Sequence, residues 1–153
     1  MKITPADIAL EFIDMINRHD LSCFEALTTE DFLFIDAEGS RMPGRKPLLR
    51  SLRAYFAWFP DYSIEVEQSF ASGSFAMITG LAMGTPMIGG EWDKAHRWRS
   101  PSAWQAIVHS GRIAEWRVYA DNRLAWQAIR GKQARQTRPP LTASEGYSLL
   151  LPE

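Results

Sequence analysis

Cysteine is nearly missing from this chain of 153 residues. Cys23 stands alone, so no disulfide can close within the chain and no cysteine-based metal site can be built. Nothing calls for an oxidising compartment. An excess of either charge is missing too: 17 Lys and Arg against 18 Asp and Glu leave a net charge of -1, from which no general attraction to nucleic acid follows. No apolar run is long enough to span a bilayer, and Asp7, Glu11 and Asp14 interrupt the N-terminal MKITPADIALEFIDMINRHD, which excludes a signal-peptide core. A cytoplasmic protein that binds neither nucleic acid nor membrane is expected. The strings GxSxG, HExxH, GxGxxG and the Walker pattern do not occur, and there is no internal repeat. His19, His96 and His109 show no metal-ligand spacing, so neither metal nor cofactor is expected.

What is present is 46% hydrophobic residues in a length that suits one domain with a sizeable core. Thr4-Pro5-Ala6-Asp7 supplies an N-cap, a proline at the first helical position and an acid in the first turn. Ile8, Phe12, Ile13 and Ile16 then follow at helical spacing. Asp20 can cap a short second helix carrying Leu21, Phe24 and Leu27. A β-like run from Phe32 to Asp36 ends at Gly39, with Phe32, Phe34 and Asp36 on one face. From Lys46 a third amphipathic helix carries Leu48, Leu49, Leu52, Tyr55, Phe56 and Phe59 until Pro60 stops it.

The remainder reads as β. Tyr62, Ile64 and Val66 alternate with Ser63, Glu65 and Glu67, and a Ser72-Gly73 turn leads into FAMITGLAMG, apolar or small on both faces. A loop, TPMIGGEWDKA, precedes a strand over about 96–109, where Pro101 suggests a bulge or an edge. Ser110-Gly111 turns the chain into a strand over 112–119. A last helix over about 122–130 precedes a tail with Pro139-Pro140. In that region Arg130, Lys132, Arg135 and Arg138 form the only locally basic run, read as solvated. One domain over 1–130 and a tail or arm over 131–153 is the expected organisation. Helices first and a curved meander afterwards make an α+β fold, a cone-shaped mixed sheet wrapped around the N-terminal helices.

The order of elements, with GRKPLLRSLRAYFAWFPDYSIEVE and GRIAEWRVYADNRLAWQAI, resembles the nuclear transport factor 2-like superfamily, the cystatin-like α+β roll, and in particular its SnoaL-like members. The likeness covers roughly residues 4–130. Such proteins include polyketide cyclases, ketosteroid isomerase, limonene epoxide hydrolase and non-catalytic binding or dimerising modules, so the fold alone does not settle the activity. In ketosteroid isomerase-like members an aspartate base ends the first strand in a string like EDPVGS. Asp36, in IDAEGS, matches it. Pointed into an apolar cone, its carboxyl would be pushed towards the range useful for taking a proton. The same likeness puts Phe12 where a helix tyrosine stands, and neither Asp nor Glu occurs between Asp93 and Glu115, so the enolate donors of steroid isomerisation are lacking. Cyclase-like strings such as WRDYFD carry a carboxylate where this chain has Val118. A homodimer through the outer sheet face is also implied.

By parity Ala114, Trp116, Val118 and Ala120 share one face, so that Trp116 and Val118 line the cone, while Glu115, Arg117 and Tyr119 face out. Asp121 ends the strand in EWRVYAD with outward parity; it either caps the last helix or turns into the pocket at a local bend. Asp36 has an alternative reading of its own, since Asp-x-x-Gly closes strands by side-chain bonds to the turn. His96 shares parity with Trp98 and Trp104 and could act as an acid or donor. Tyr55 could offer a hydroxyl. Phe12, Phe34, Phe59, Trp104, Trp116 and Val118 are the expected walls of a site for a small apolar, aromatic or polycyclic molecule. Six tryptophans suit such a pocket, and would equally suit a packed core or a dimer. Two functions stay open: cofactor-free isomerisation or cyclisation with Asp36 as base, or a binding or dimerising module without chemistry.

Overall fold

Residues 2–134 are described by the structure, a computed structural model of the chain. Helix α1 (Pro5–Asn17) starts at a reciprocal cap. The Thr4 hydroxyl accepts from the Asp7 amide at 3.3 Å, and the Asp7 carboxylate accepts from the Thr4 amide at 2.7 Å. Its buried face carries Ile8, Phe12, Ile13, Met15 and Ile16. Asp20 accepts from the Ser22 amide at the head of a 3-10 turn (Leu21–Cys23), which runs into the single turn α2 (Phe24–Leu27).

Strand β1 (Thr28–Ile35) begins four residues before the expected Phe32. Its first residues alternate poorly in hydrophobicity, and polar bonds hold them instead: the Thr28 hydroxyl donates to the Phe24 carbonyl at 2.8 Å. A three-residue strand β2 (Arg41–Pro43), too short to show a period, pairs antiparallel with β1. Helix α3 (Lys46–Trp58) ends ahead of Pro60, as the proline requires. The long hairpin of β3 (Ser63–Ser72) and β4 (Phe75–Gly84) follows. The segment expected as a plain loop holds a minimal hairpin, β5 (Met87–Ile88) with β6 (Glu91–Trp92), turned by Gly89 and Gly90 at positive φ. Then come β7 (Trp98–His109), β8 (Arg112–Ala120) and α4 (Arg123–Ala134). Helix α4 runs past the expected end at Arg130, and the tail expected beyond it lies from residue 135 onward outside the described residues. Among the described residues no helix is long and apolar enough to cross a membrane.

Six strands form one sheet in the order β2-β1-β8-β7-β4-β3, antiparallel except for the β1–β8 pair. Register decides what faces inward. Phe34 sits opposite Trp116, Trp116 opposite Ala106, and Ala106 opposite Ala76, while Val118, Trp104 and Ile78 form the next row. All of these but Val118 are buried, and Val118 is partly so. The β7–β8 register shifts between Ile107 and Val108, which lets Ile113 and Trp116 both turn inward although they are an odd number of residues apart. Pro101 sits without a bulge in the β4–β7 ladder, opposite Leu81. The β8 ladder starts only at Ser102, so the proline lies at a local edge on that side.

Helix α1 lies directly on β3, β4, β7 and β8, whereas α3 stands off from them. Asn17 fixes the end of α1 to β3 with both halves of its amide, donating to the Ile64 carbonyl at 2.9 Å and accepting from the Ile64 amide at 2.7 Å. Gly80 of β4 is needed for the hairpin's close approach beside the register shift at Val66–Gln68. A β-carbon there would overlap the Glu65 carbonyl. Gly80→Ala is therefore expected to lower unfolding stability by about 1–3 kcal/mol in urea titration. An unchanged midpoint would contradict this account of the hairpin.

Candidate functional site

The space between α3 and the inner face of the sheet is a cavity, open to water-sized molecules over about 60 Å³. Ile16 from α1, Leu48 and Leu52 from α3, and Phe34, Ile64, Ala82, Trp104, Trp116 and Val118 from the sheet supply its apolar walls. Its polar residues are Ser51, Tyr55, Tyr62, Ser100, Ser102 and Asn122, with Trp98 beside them. Among the described residues no carboxylate, imidazole, ammonium or guanidinium group lines it. Burial raises the phenol pKa of Tyr55 and of Tyr62, the latter helped by its proximity to Tyr55, so both remain neutral donors at ordinary pH. Ser102 donates to the Ser100 carbonyl at 3.0 Å, and Ser100 donates to the Asp121 carbonyl at 2.9 Å.

Of the residues expected to form the site, the fold brings Phe34, Tyr55, Trp104, Trp116 and Val118 together around this cavity. Phe12 and Phe59 are buried beside it instead of lining it. Phe12 packs on Trp116 with ring centroids 4.6 Å apart and on Phe24 at 5.4 Å, and Phe59 meets Trp98 edge-on at 5.2 Å. They shape the walls from behind.

The three ionisable candidates lie outside the lining. Asp36 is only 5% exposed, and its Oδ1 accepts from the amides of Glu38 and Ser40, each at 2.9 Å, while the Gly39 amide donates to the Asp36 carbonyl at 3.0 Å. This is the strand-closing turn. His96 falls in a 3-10 turn (Lys94–His96), because β7 begins only at Trp98 and the strand parity does not reach back to it. Its Nδ1 is 2.7 Å from the Asp93 carboxylate, at the surface. Asp121 points outward: its Oδ1 accepts from the Arg123 amide at 3.0 Å, and its Oδ2 pairs with the Arg123 guanidinium at 2.6 Å. Those bonds, the side-chain one first, hold its carboxyl below the usual value. The Asn122 carbonyl accepts the first helical bond from Trp126, so Asp121 caps from one position further out than expected.

Ser51, Tyr62, Trp98, Ser100, Ser102 and Asn122 are the lining residues that chemistry-led reading of the sequence passed over. The signal was there in the period. Trp98, Ser100, Ser102 and Trp104 step by two along β7, Asn122 continues the series from Trp116 through Ala120, and Ser51 stands one helical turn before Tyr55. Among the described residues, no group of three or more His, Cys, Asp or Glu is placed to hold a metal ion.

The sequence profile of the SnoaL-like domain matches residues 9–126. Among solved structures, the chain resembles IdmH, a proposed polyketide cyclase from Streptomyces antibioticus, with 21% identity over 84% of this chain and 99% of that one and a TM-score of 0.70. A proposed SnoaL-like polyketide cyclase from Jannaschia sp. CCS1 has 16% identity over 84% and 96%, with a TM-score of 0.69. An NTF2-like protein from Burkholderia thailandensis has 17% identity over 84% and 98%, with a TM-score of 0.70. At such identities the likeness concerns the fold. No curated protein matches the chain.

The turn at Asp36 carries a direct expectation. Asp36→Ala removes the acceptor of two amides and should cost about 1–3 kcal/mol of stability, whereas Asp36→Asn keeps a carbonyl Oδ1 in place and should cost clearly less. Equal losses in denaturant titration would contradict the turn assignment.

Proposed function

The chain belongs to the SnoaL-like domain family, and on that premise we propose that it binds a small, uncharged, largely apolar molecule in the cavity between α3 and the sheet. One observation carries this: among the described residues the lining consists of aromatic, aliphatic and neutral polar side chains, with no full charge. A charged ligand would lose its hydration there without gaining a counter-charge, at a cost of several kcal/mol per ion. A neutral ring loses little and gains the faces of Phe34, Trp104 and Trp116. About 60 Å³ is space for a few waters and less than the ~150 Å³ of a cavity that holds benzene, so a single ring enters only as the walls give way and a polycycle is disfavoured.

Cofactor-free proton transfer with Asp36 as base would add turnover to this binding. The two amide bonds to its Oδ1, and the absence of Asp36 from the lining, favour binding without chemistry. Polyketide cyclisation, proposed for two of the structural relatives, would need in this chain a proton acceptor from beyond the cavity's own walls.

Thermal unfolding with added ligand tests the binding. Toluene is expected to raise the midpoint, by an amount that grows with concentration as for any ligand that binds only the folded state, and benzoate to have little effect. Val118→Phe, which fills the cavity from β8, should weaken toluene binding by roughly tenfold or more. Equal stabilisation by benzoate, or an unaltered response in the Val118 variant, would sink the proposal.

A further inference from the structure

A ligand of one ring needs more room than the cavity offers, so a wall has to yield. Six hydrogen-bonded strands hold the sheet together, and α1 lies directly on four of them. Helix α3 keeps its backbone further from the strands. Its first turn is tied down by Arg45, which donates to the Thr28 hydroxyl and to the carbonyls of Thr28 and Glu25. Its last turn meets His19, two residues past the end of α1.

The His19 ring lies flat on Phe56, with centroids 4.0 Å apart and planes 11° from parallel, and its Nε2 is 2.6 Å from the Tyr62 carbonyl oxygen. A carbonyl can only accept, so Nε2 carries a proton and donates it. One imidazole thus joins the end of α1, the last turn of α3 and the residue before β3. Its backbone is unusual as well: His19 has φ 53°, in the left-handed region where glycine is the common residue just past a helix. A side chain stays in that conformation when its surroundings hold it there, and here they are Phe56 and Tyr62.

This clasp backs onto the cavity. Tyr62 lines it, and so does Tyr55, the neighbour of Phe56 in sequence; the rings of Tyr55 and Tyr62 meet at 5.3 Å, and those of Phe56 and Tyr62 at 6.2 Å. Of the α3 residues in the lining, Leu48, Ser51 and Leu52 are buried and Tyr55 is half-buried, so this corner is where the roof of the cavity also reaches the surface.

Resting on the binding function proposed above and adding how its site is entered, we propose that His19 is the latch of the cavity: its stack on Phe56 and its bond to the Tyr62 carbonyl hold the last turn of α3 against the start of β3, and a ligand passes when that clasp lets go. The clasp closes the empty and the occupied cavity alike. His19 is therefore a positioning residue that sets the rates of entry and exit and leaves the affinity nearly untouched, because a contact made equally in both states favours neither.

Toluene exchange with the full chain, followed through the methyl resonances of Leu52 and Val118 in the lining, tests this. His19→Gly suits the left-handed backbone and removes the ring. It should raise the association and dissociation rates together by roughly tenfold, the yield of one hydrogen bond, with Kd changed by less than about twofold. Arg18→Ala, which breaks the adjacent ion pair with Asp14 at 3.0 Å and spares the clasp, should leave both rates as they are. Unchanged rates in the His19 variant, or an equal rise in the Arg18 variant, would overturn the latch and leave the binding function standing with entry elsewhere, as past Asn122. Toluene binding to neither the unmodified protein nor the variants would overturn the binding function and the latch with it. Should His19→Gly fail to fold, His19→Asn, which also tolerates the left-handed region and lacks the ring, decides by the same rates.

Discussion

The cavity lies under α3, which is fastened at its two ends and packs on the core through Leu48, Leu52 and Ala54 while its backbone keeps further from the strands than that of α1. At its start the Arg45 guanidinium donates to the Thr28 hydroxyl at 2.9 Å and to the Thr28 carbonyl at 2.8 Å, tying the helix to the head of β1. At its end Phe59 is buried against Gly84 and Trp98, and the Tyr62 amide donates to the Phe59 carbonyl at 2.8 Å as the chain turns into β3. The middle of the helix, Leu48 to Tyr55, is thereby held over the sheet as a roof. Helix α1 supplies what α3 does not, a close-packed wall: Phe12 and Ile16 fill the space against Trp116 and β3, and Asn17 pins that arrangement through the backbone of Ile64. Much of the remaining burial follows from these attachments.

Charge is distributed with equal consistency. The carboxylates at Asp7, Asp20, Asp36 and Asp121 all satisfy backbone amides at the ends of helices and strands. The strand EWRVYAD thus ends on an acid for a structural reason: its carboxylate meets the orphan amide of the helix that follows, where the helix dipole also favours negative charge. A cavity lined by neutral groups and carboxylates kept at the exposed ends of helices, as at Asp7, Asp20 and Asp121, answer one requirement, that a full charge stays in water or finds a partner. Function in this molecule is therefore sought in shape and in uncharged donors.

Most of the architecture was legible because the long elements carry strong periods. Thr4-Pro5-Ala6-Asp7 marked the start of α1, Pro60 the end of α3, and the alternation in β8 placed Trp116 and Val118 inside. What escaped had no period to show: β2 has three residues, β5 and β6 two each, and the opening of β1 depends on Thr28 bonds rather than on apolar alternation. His96 was assigned to the cone by extending β7 two residues too far. For the site, parity served better than chemistry. The residues singled out as walls of β1 and β8 do line the cavity, while Ser100 and Asn122 share the same period and went unnoticed because they match no catalytic pattern. Among the described residues the buried Trp98 N–H has no hydrogen-bond partner, which no sequence reading shows, since it depends on which acceptors fold around it.

The central claim is that a neutral ligand enters between α3 and the sheet, and methyl NMR tests it most directly. With the methyl groups labelled, titration with toluene should shift the resonances of Leu52, Ile64 and Val118, which line the cavity, and leave Leu81 on the outer face unmoved. Shifts confined to the outer face, or none at concentrations that raise the unfolding midpoint, would show that binding occurs elsewhere and contradict the account.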